Sequence, residues 1–196
     1  MLVGLTGGIG SGKSTVLERF KTFEDVAVYN ADLEAKRLMN TSAVIKEKLL
    51  VLFGEKAYIN NHLNRNYIAS IVFSDAASLK QLNAIVHPEV HQHLKSFVQK
   101  NQHKAYVLYE NAILFENKSD IFCDVIITVV VDEATRVERV VARDNTTPEA
   151  IRSRIQNQWL DEKKVLLSHY IVCNYDRNML DDQIIEIHNN LTKLKR

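Results

Sequence analysis

The stretch GLTGGIGSGKST, residues 4 to 15, holds five of the six glycines in this chain of 196 residues. Glycine lacks a Cβ atom, so it accepts positive φ angles and lets backbone amides approach another group closely. Within the stretch, Gly7, Gly12, Lys13 and Ser14 fit the pattern G-x-x-x-x-G-K-[ST] without a gap. This pattern is typical of loops whose amides cradle the phosphates of a nucleotide.

The sequence on either side of the glycines favours the same interpretation. The residues MLVGL form a short apolar run typical of a strand, and KSTVLERFKTF carries apolar side chains at helical spacing. A strand, a glycine loop and a helix in this order would hold an anionic phosphate chain at the helix N-terminus. Lys13 would reach the β- and γ-phosphates, and the Ser14 hydroxyl would bind Mg²⁺. The alternative is an ordinary glycine-rich turn.

The composition indicates one α/β domain with room for insertions. With 25 basic and 24 acidic residues the net charge is +1, which is not the charge of a nucleic-acid-binding surface. The longest apolar run, VIITVVV, is far too short to span a bilayer, and we expect no signal peptide because the apolar stretch before the glycine loop is only a few residues long. Cys123 and Cys173 lack CxxC spacing and lie in or beside apolar runs, which predicts reduced, buried thiols in a cytoplasmic protein.

Five short β-rich runs alternate with helical patterns, which predicts a mostly parallel sheet with helices on both faces. The runs are MLVGL, VAVYN, AYVLYENA, DVIITVVV and YIVCN. Between the second and third runs, residues 33–104 have helical patterns. A βαβ crossover needs far fewer residues, so we expect this insertion to build a second binding surface over the carboxyl edge of the sheet.

Three arginines follow the fourth β-rich run at spacings of three and four residues, namely Arg136, Arg139 and Arg143. Such a stripe on one side of a helix can be merely solvated. Because arginines just past the end of a strand are well placed to clamp a transferring phosphate, we interpret Arg139 and Arg143 as phosphate ligands. Arg136 is expected to face water.

A GTPase-type switch is one alternative, because a phosphate loop alone does not define a function. The tetrapeptide NKSD, residues 117–120, matches the guanine-reading pattern N-K-x-D. A switch also needs D-x-x-G to sense the γ-phosphate, and the only glycine beyond the loop, Gly54, has Val51 three residues before it. The chain therefore lacks the segment with which a switch protein senses the γ-phosphate.

A metal site is another alternative. In HPEVHQH, residues 87–93, His87 and His91 are four apart and could share a helix face. A zinc site needs a further ligand at recognisable spacing, and none is present. Pro88 suits the first position of a new helix, which would place His87 at an exposed bend where it could contact a ligand.

A small-molecule kinase needs a polar group beside the acceptor hydroxyl. In YNADLEAK, Asp32 stands just beyond the second predicted strand, at the carboxyl end where open α/β sheets bind ligands. An aspartate at this place also suits a helix N-cap. The two roles are compatible, and we interpret Asp32 as catalytic.

Several segments, in order and over nearly the whole chain, resemble the dephospho-coenzyme A kinase family: GLTGGIGSGKST, ADLEAK, LNRNYIASIVF, LNAIVHPEV, AILFE, and RVVARD followed by RIQNQ. The resemblance implies a P-loop α/β/α fold and ATP-dependent phosphorylation of the ribose 3′-hydroxyl of dephospho-coenzyme A, the last step of coenzyme A biosynthesis. It also implies a core of residues 1–32, 105–135 and 168–196, a helical substrate-binding part at 33–104 and a lid at 136–167.

The resemblance also implies roles for individual residues. Asp32 matches the acidic residue beside the acceptor hydroxyl and Arg139 matches the lid, so these two and Lys13 are the predicted catalytic residues. The predicted ATP-binding residues are Gly8, Ile9, Gly10, Ser11, Gly12, Lys13, Ser14, Thr15, Arg139 and Arg143, with Ser14 as the ligand of Mg²⁺. The predicted substrate-binding residues are Asp32, Arg65, His87 and Glu116.

The chain departs from the family pattern at several positions around the acceptor pocket. Asn30 replaces the first residue of the usual DAD, and Lys36 replaces a common arginine. Ala112 replaces the proline of PLLFE, and Tyr175 and Asp176 occupy positions where glycine is usual. None of these changes removes a group that the reaction requires. Another small-molecule kinase of this architecture, such as a nucleoside or nucleotide kinase, and a non-catalytic nucleotide-binding module stay open. We expect a small-molecule substrate, no nucleic acid or membrane partner, and a monomer or weak homo-oligomer.

Overall fold

The computed structural model describes residues 1–176 and 178–194, so the end of the predicted core segment 168–196 lies outside the described residues. The chain divides into two compact units, one made of Met1–Tyr29 and Lys100–Arg196 and the other of Asn30–Gln99. None of the helices within the described residues is both long enough and apolar enough to cross a membrane.

Strands and helices follow one another through both units. In chain order they are β1 (Leu2–Thr6), α1 (Lys13–Phe20), β2 (Val26–Asn30), α2 (Ala31–Thr41), α3 (Ala43–Phe53), β3 (Tyr58–Ile59), β4 (His62–Leu63), α4 (Arg65–Val72), α5 (Ala76–Lys100), β5 (Tyr106–Glu110), β6 (Val125–Val130), α6 (Glu133–Asp144), α7 (Pro148–Gln156), α8 (Asp161–Leu166), β7 (Tyr170–Cys173) and α9 (Leu180–Leu194). Short 3₁₀ turns lie at Glu55–Ala57 and Ser119–Phe122.

A five-stranded sheet in the order β2-β5-β1-β6-β7 forms the centre of the larger unit, which confirms the predicted α/β architecture. The central strand β1 pairs in parallel with β5 and β6, and β6 pairs in parallel with β7. Every residue of β1 and β5 is buried, which is typical of a parallel sheet covered on both faces. On one face α1 and α9 bury Val16, Leu17 and Ile184 against the strands.

The strand β7 lies at one edge of the sheet, and its side chains alternate between buried and exposed. Cys173 is exposed and Cys123 is partly buried, and both thiols are free. The prediction that Cys173 is buried is wrong, because an edge strand presents alternate residues to solvent. Gln183 of α9 covers the end of this strand: its Oε1 accepts the Cys173 N–H at 2.9 Å, and its Nε2 donates to the Cys173 carbonyl at 3.1 Å.

The smaller unit consists of α2 to α5 with a short antiparallel hairpin of β3 and β4. The helical patterns predicted these helices but not the hairpin, which turns at Asn60 and Asn61 with φ angles of 47° and 67°. Helix α5 continues through Pro88, so the prediction of a new helix beginning there is wrong. Val86 and Val90 are buried on either side of the proline, and this packing outweighs the backbone hydrogen bond that proline cannot donate.

Candidate active site

The glycine loop joins the central strand β1 to α1, which begins at Lys13. Gly12, immediately before the helix, has a left-handed φ of 93°, and a side chain there would collide with the amide of Asn174. The N-cap residue Gly12 has no side chain that could cap α1, and no acidic residue lies in the first turn of the helix. The first amides of the helix therefore face the loop with their positive dipole, which favours an anion.

The side chain of Lys13 packs against the backbone of the glycine loop. The residue is buried, and its Nζ donates to the carbonyls of Gly7 and Gly8 at 2.9 and 3.1 Å. Ser14 and Thr15, in the first turn of α1, are exposed. The ammonium group is thus held beside the loop, and the Ser14 hydroxyl is open to solvent.

One of the predicted lid arginines, Arg139, is linked to the loop through Asn174, and the other, Arg143, pairs with its neighbour Asp144. Asn174, which follows β7, donates from Nδ2 to the Ser11 carbonyl at 2.8 Å, and Arg139 donates to the Asn174 carbonyl at 3.1 Å. Arg143 is exposed and donates to both carboxylate oxygens of Asp144, at 2.7 and 3.1 Å. This ion pair raises the pKa of Arg143 and lowers the pKa of Asp144.

Arg136 does not face water, so that prediction is wrong. It is buried, and its Nε donates to the Ile9 carbonyl at 2.9 Å while NH1 pairs with the Asp161 carboxylate at 2.9 Å. A side chain at Gly8 would collide with the Arg136 guanidinium, so the glycine permits this close approach. The guanidinium can be buried because a carbonyl and a carboxylate replace its water.

Glu116 lies in a buried ion pair after β5. Its Oε1 accepts from Lys164 Nζ at 2.9 Å and from the Trp159 N–H at 2.8 Å, and Lys164 is fully buried. Lys164 also donates to the Ala112 carbonyl at 3.2 Å, a contact that the usual proline could equally accept. The second oxygen, Glu116 Oε2, is buried without a hydrogen-bond partner among the described residues.

The other predicted site residues lie in the smaller unit. Asp32 is exposed in the first turn of α2, whose N-cap is Asn30: the Asn30 side chain accepts the Leu33 N–H at 2.8 Å. The capping role considered for Asp32 is therefore filled by Asn30. Arg65 is exposed at the start of α4, and half-buried His87 lies within α5.

His87 and His91 of α5 do not form a metal centre with a third ligand among the described residues. The ring centroids of His87 and His91 lie 6.5 Å apart. Burial lowers the pKa of both side chains, and charge on His87 further lowers the pKa of His91. Across the part of the chain that the structure describes, no group of three or more His, Cys, Asp or Glu side chains could hold a metal ion.

Sequence reasoning missed several residues that shape the site. Asn174 could have been found, because it ends the predicted run YIVCN at the carboxyl edge of the sheet. Gln158 ends the segment RIQNQ, but that segment predicted no role for it, and Lys164 lies outside the segments quoted for the resemblance, so only the folded chain shows their contacts. The Ile9 N–H donates to Gln158 Oε1 at 2.8 Å, which ties the glycine loop to the segment after α7.

The family model for dephospho-CoA kinase matches residues 1–180. The chain belongs to the dephospho-CoA kinase family. A dephospho-CoA kinase of Bacteroides fragilis is 35% identical over 185 residues, covering 94% of this chain and 90% of that relative. Dephospho-CoA kinases carry out ATP-dependent phosphorylation in the final step of coenzyme A biosynthesis, so the predicted family and enzyme class are confirmed.

Solved structures with similar folds cover nearly the whole chain. A crystallised protein of Thermus thermophilus is 31% identical, has a TM-score of 0.84, and the match covers 99% of this chain and 97% of that chain. Shikimate kinase from Bacteroides thetaiotaomicron is 14% identical with a TM-score of 0.56, over 97% of this chain and 98% of that chain. The second likeness shows only that the dephospho-CoA kinase family shares the P-loop kinase fold.

Proposed function

We propose that this chain transfers the γ-phosphoryl group of ATP to the ribose 3′-hydroxyl of dephospho-coenzyme A. The observation that carries the proposal is the family match over residues 1–180 in a chain whose glycine loop keeps every position of the phosphate-binding pattern. The smaller unit is proposed to bind the acceptor, and residues 136–167 to act as the lid.

The loop and the start of α1 are proposed to bind the triphosphate. The loop amides and the uncapped helix N-terminus offer donors and positive potential, and Lys13 already lies beside them. The ATP ligands would be Gly8, Ile9, Gly10, Ser11, Gly12, Lys13, Ser14, Thr15, Arg139 and Arg143.

Mg²⁺ is proposed to accompany ATP, with the exposed Ser14 hydroxyl as its protein ligand. The absence of a three-ligand acidic or histidine cluster among the described residues fits an ion held mainly by phosphate oxygens and water. An ion bound at this position would neutralise part of the negative charge of the phosphates.

The transfer itself needs charge stabilisation and a proton acceptor. The acceptor oxygen forms a bond to the γ-phosphorus, the bond from that phosphorus to the β–γ bridging oxygen breaks, and ADP leaves. Lys13 and Arg139 would stabilise the charge that moves toward the bridging oxygen. Asp32 would orient the hydroxyl and take its proton as bonding is completed. Arg65, His87 and Glu116 would line the acceptor side.

The test is an ADP-release assay with dephospho-coenzyme A, adenosine, AMP and shikimate as acceptors. We expect kcat/KM for dephospho-coenzyme A to exceed that for each other acceptor by about 100-fold or more. Phosphorus NMR should place the new phosphate at the 3′ position. A higher kcat/KM for a nucleoside or nucleotide would favour the other kinase class, and ATP binding without transfer to any acceptor would favour a non-catalytic module.

A further inference from the structure

The Gly8–Ile9 peptide of the glycine loop is held from both sides. Its N–H, from Ile9, donates to Gln158 Oε1 at 2.8 Å. Its carbonyl, from Gly8, accepts from Lys13 Nζ at 3.1 Å and from the Ser11 N–H at 3.1 Å. Because the N–H and C=O of a trans peptide point in opposite directions, one planar group connects the Gln158 amide to the Lys13 ammonium.

The next peptide is fixed in a similar way. The Ile9 carbonyl accepts from Arg136 at 2.9 Å, and the Ile9 side chain packs against the small cluster of Val137, Val140 and Ile151 between α6 and α7. Two consecutive peptides of the loop, Gly8–Ile9 and Ile9–Gly10, are therefore each held by a side chain from outside the loop.

Gln158 begins a segment that is anchored at several points, and we name residues 158–164 the strap. Asp161 of the strap pairs with Arg136 at 2.9 Å. Lys164 of the strap pairs with Glu116 at 2.9 Å and is fully buried. The strap is thus fixed by two ion pairs, which gives Gln158 a firm base from which to hold the loop.

We propose that Gln158 is a positioning residue for ATP: by holding the Ile9 N–H it orients the Gly8–Ile9 peptide, and through that peptide it positions Lys13 and the loop amides for a polyphosphate. The inference rests on the proposed function only in taking ATP as the nucleotide. A loop oriented in advance binds more tightly because less ordering is needed on binding.

The decisive variant is Gln158→Met, which keeps the length of the side chain and removes the acceptor oxygen. Gln156→Ala is the matched control, because Gln156 is an exposed amide two residues earlier. Since one hydrogen bond is lost, we expect the Kd of ATP, measured by calorimetry, to rise by about 3- to 10-fold in Gln158→Met. The control should stay within about twofold, and so should the KM of both variants for dephospho-coenzyme A.

Hydrogen–deuterium exchange provides a second measurement. Peptides covering residues 7–12 should exchange faster in Gln158→Met than in the wild type or the control. Gln158→Glu keeps an acceptor oxygen and should restore slow exchange, although its charge opposes ATP binding.

The proposal is overturned if ATP affinity and loop exchange of Gln158→Met match the wild type. It is also overturned if the KM values for both substrates rise together with a fall in thermal midpoint, or if the variant does not fold, because each result assigns Gln158 a merely structural role. The calorimetric measurement needs no acceptor. A wild-type protein that binds ATP but does not phosphorylate dephospho-coenzyme A would therefore contradict the proposed function and leave this test valid.

Discussion

The glycine loop and the helical unit of residues 30–99 hold their candidate functional groups in different ways. In the loop, the backbone is the functional element, and neighbouring residues such as Arg136, Gln158 and Asn174 fix it with hydrogen bonds. In the helical unit the candidates are side chains on separate helices, and Asp32 and Arg65 are exposed. A phosphate group is the same in every nucleotide, so a fixed backbone suits it, whereas recognition of one particular acceptor depends on side chains.

The largest expected effect tests the loop side of this comparison. Lys13→Ala removes the ammonium that neutralises the transferring phosphate, so turnover should fall by about 10³-fold or more. Circular dichroism should show an intact fold, since alanine is a good helix former at the start of α1. Lys21→Ala is the control, because Lys21 is an exposed residue at the end of α1 whose ammonium pairs with Glu18 at 2.6 Å. A folded Lys13→Ala protein with wild-type turnover would show that the phosphate-loop assignment is wrong.

The next effect tests the acceptor side. Asp32→Asn keeps the shape of the side chain but cannot accept a proton, so kcat should fall by about 10²- to 10⁴-fold, or roughly 3 to 5.5 kcal/mol of barrier. The thermal midpoint should not change, because Asn30 caps α2.

Asn30→Ala is the complementary variant for this test. Loss of the cap should cost about 1 kcal/mol of stability, with a much smaller effect on kcat than Asp32→Asn. The two variants thus separate the capping group from the catalytic group. Full activity in stable Asp32→Asn would remove Asp32 from the mechanism.

The third prediction concerns Arg136, which donates to the Ile9 carbonyl of the loop. Arg136→Met leaves the Asp161 carboxylate without its partner and the Ile9 carbonyl without its donor, so unfolding free energy should fall by about 3 kcal/mol. Chemical denaturation measures this loss. Arg152→Met is the matched control, because Arg152 is an exposed arginine whose pair with Glu149 spans 4.0 Å, and such pairs contribute about 0 to 1 kcal/mol. Equal losses in the two variants would show that Arg136 is not a buried anchor.

The smallest expected effect is a pH dependence of the helical unit. Burial lowers the pKa of His87, so below about pH 6.5 the unfolded chain takes up a proton more readily than the folded chain does. The contribution of His87 to stability is therefore present above that pH and lost as the pH falls.

The measurement is the thermal midpoint at pH 7.5 and 5.5. His87→Gln should reduce the acid-induced fall by roughly 1 to 3 °C. His62→Gln, at an exposed position in the hairpin, should leave it unchanged. An identical fall in the wild type and His87→Gln would contradict the lowered pKa of the half-buried His87 imidazole.

The comparison also explains which parts of the molecule the sequence could predict. The phosphate loop could be predicted from consecutive residues. Gly12 takes a left-handed φ directly before Lys13, and the pattern specifies a glycine and a lysine at these two positions. The five strands were predicted because a sheet buried on both faces needs continuous apolar runs. These features are local, so they can be recognised without knowing the fold.

Features that depend on distant residues were predicted less well. Arg136 looked like one member of a solvated stripe, but Asp161, 25 residues later, draws it inward. Pro88 looked like a helix start, but packing carries α5 through it. The roles of Asp32, Arg65, His87, Glu116 and Arg143, the cytoplasmic location and the oligomeric state stay predictions, because each depends on a ligand, a compartment or a second chain.

The amide of Gln183 has a consequence that lies outside catalysis. An exposed sheet edge offers free backbone groups to any other extended chain, and such edges seed aggregation. At the end of β7 one side chain already occupies both the donor and the acceptor of Cys173, as an additional strand would do. A single residue of α9 thus blocks the end of this edge, because another extended chain finds both backbone groups of Cys173 already bonded.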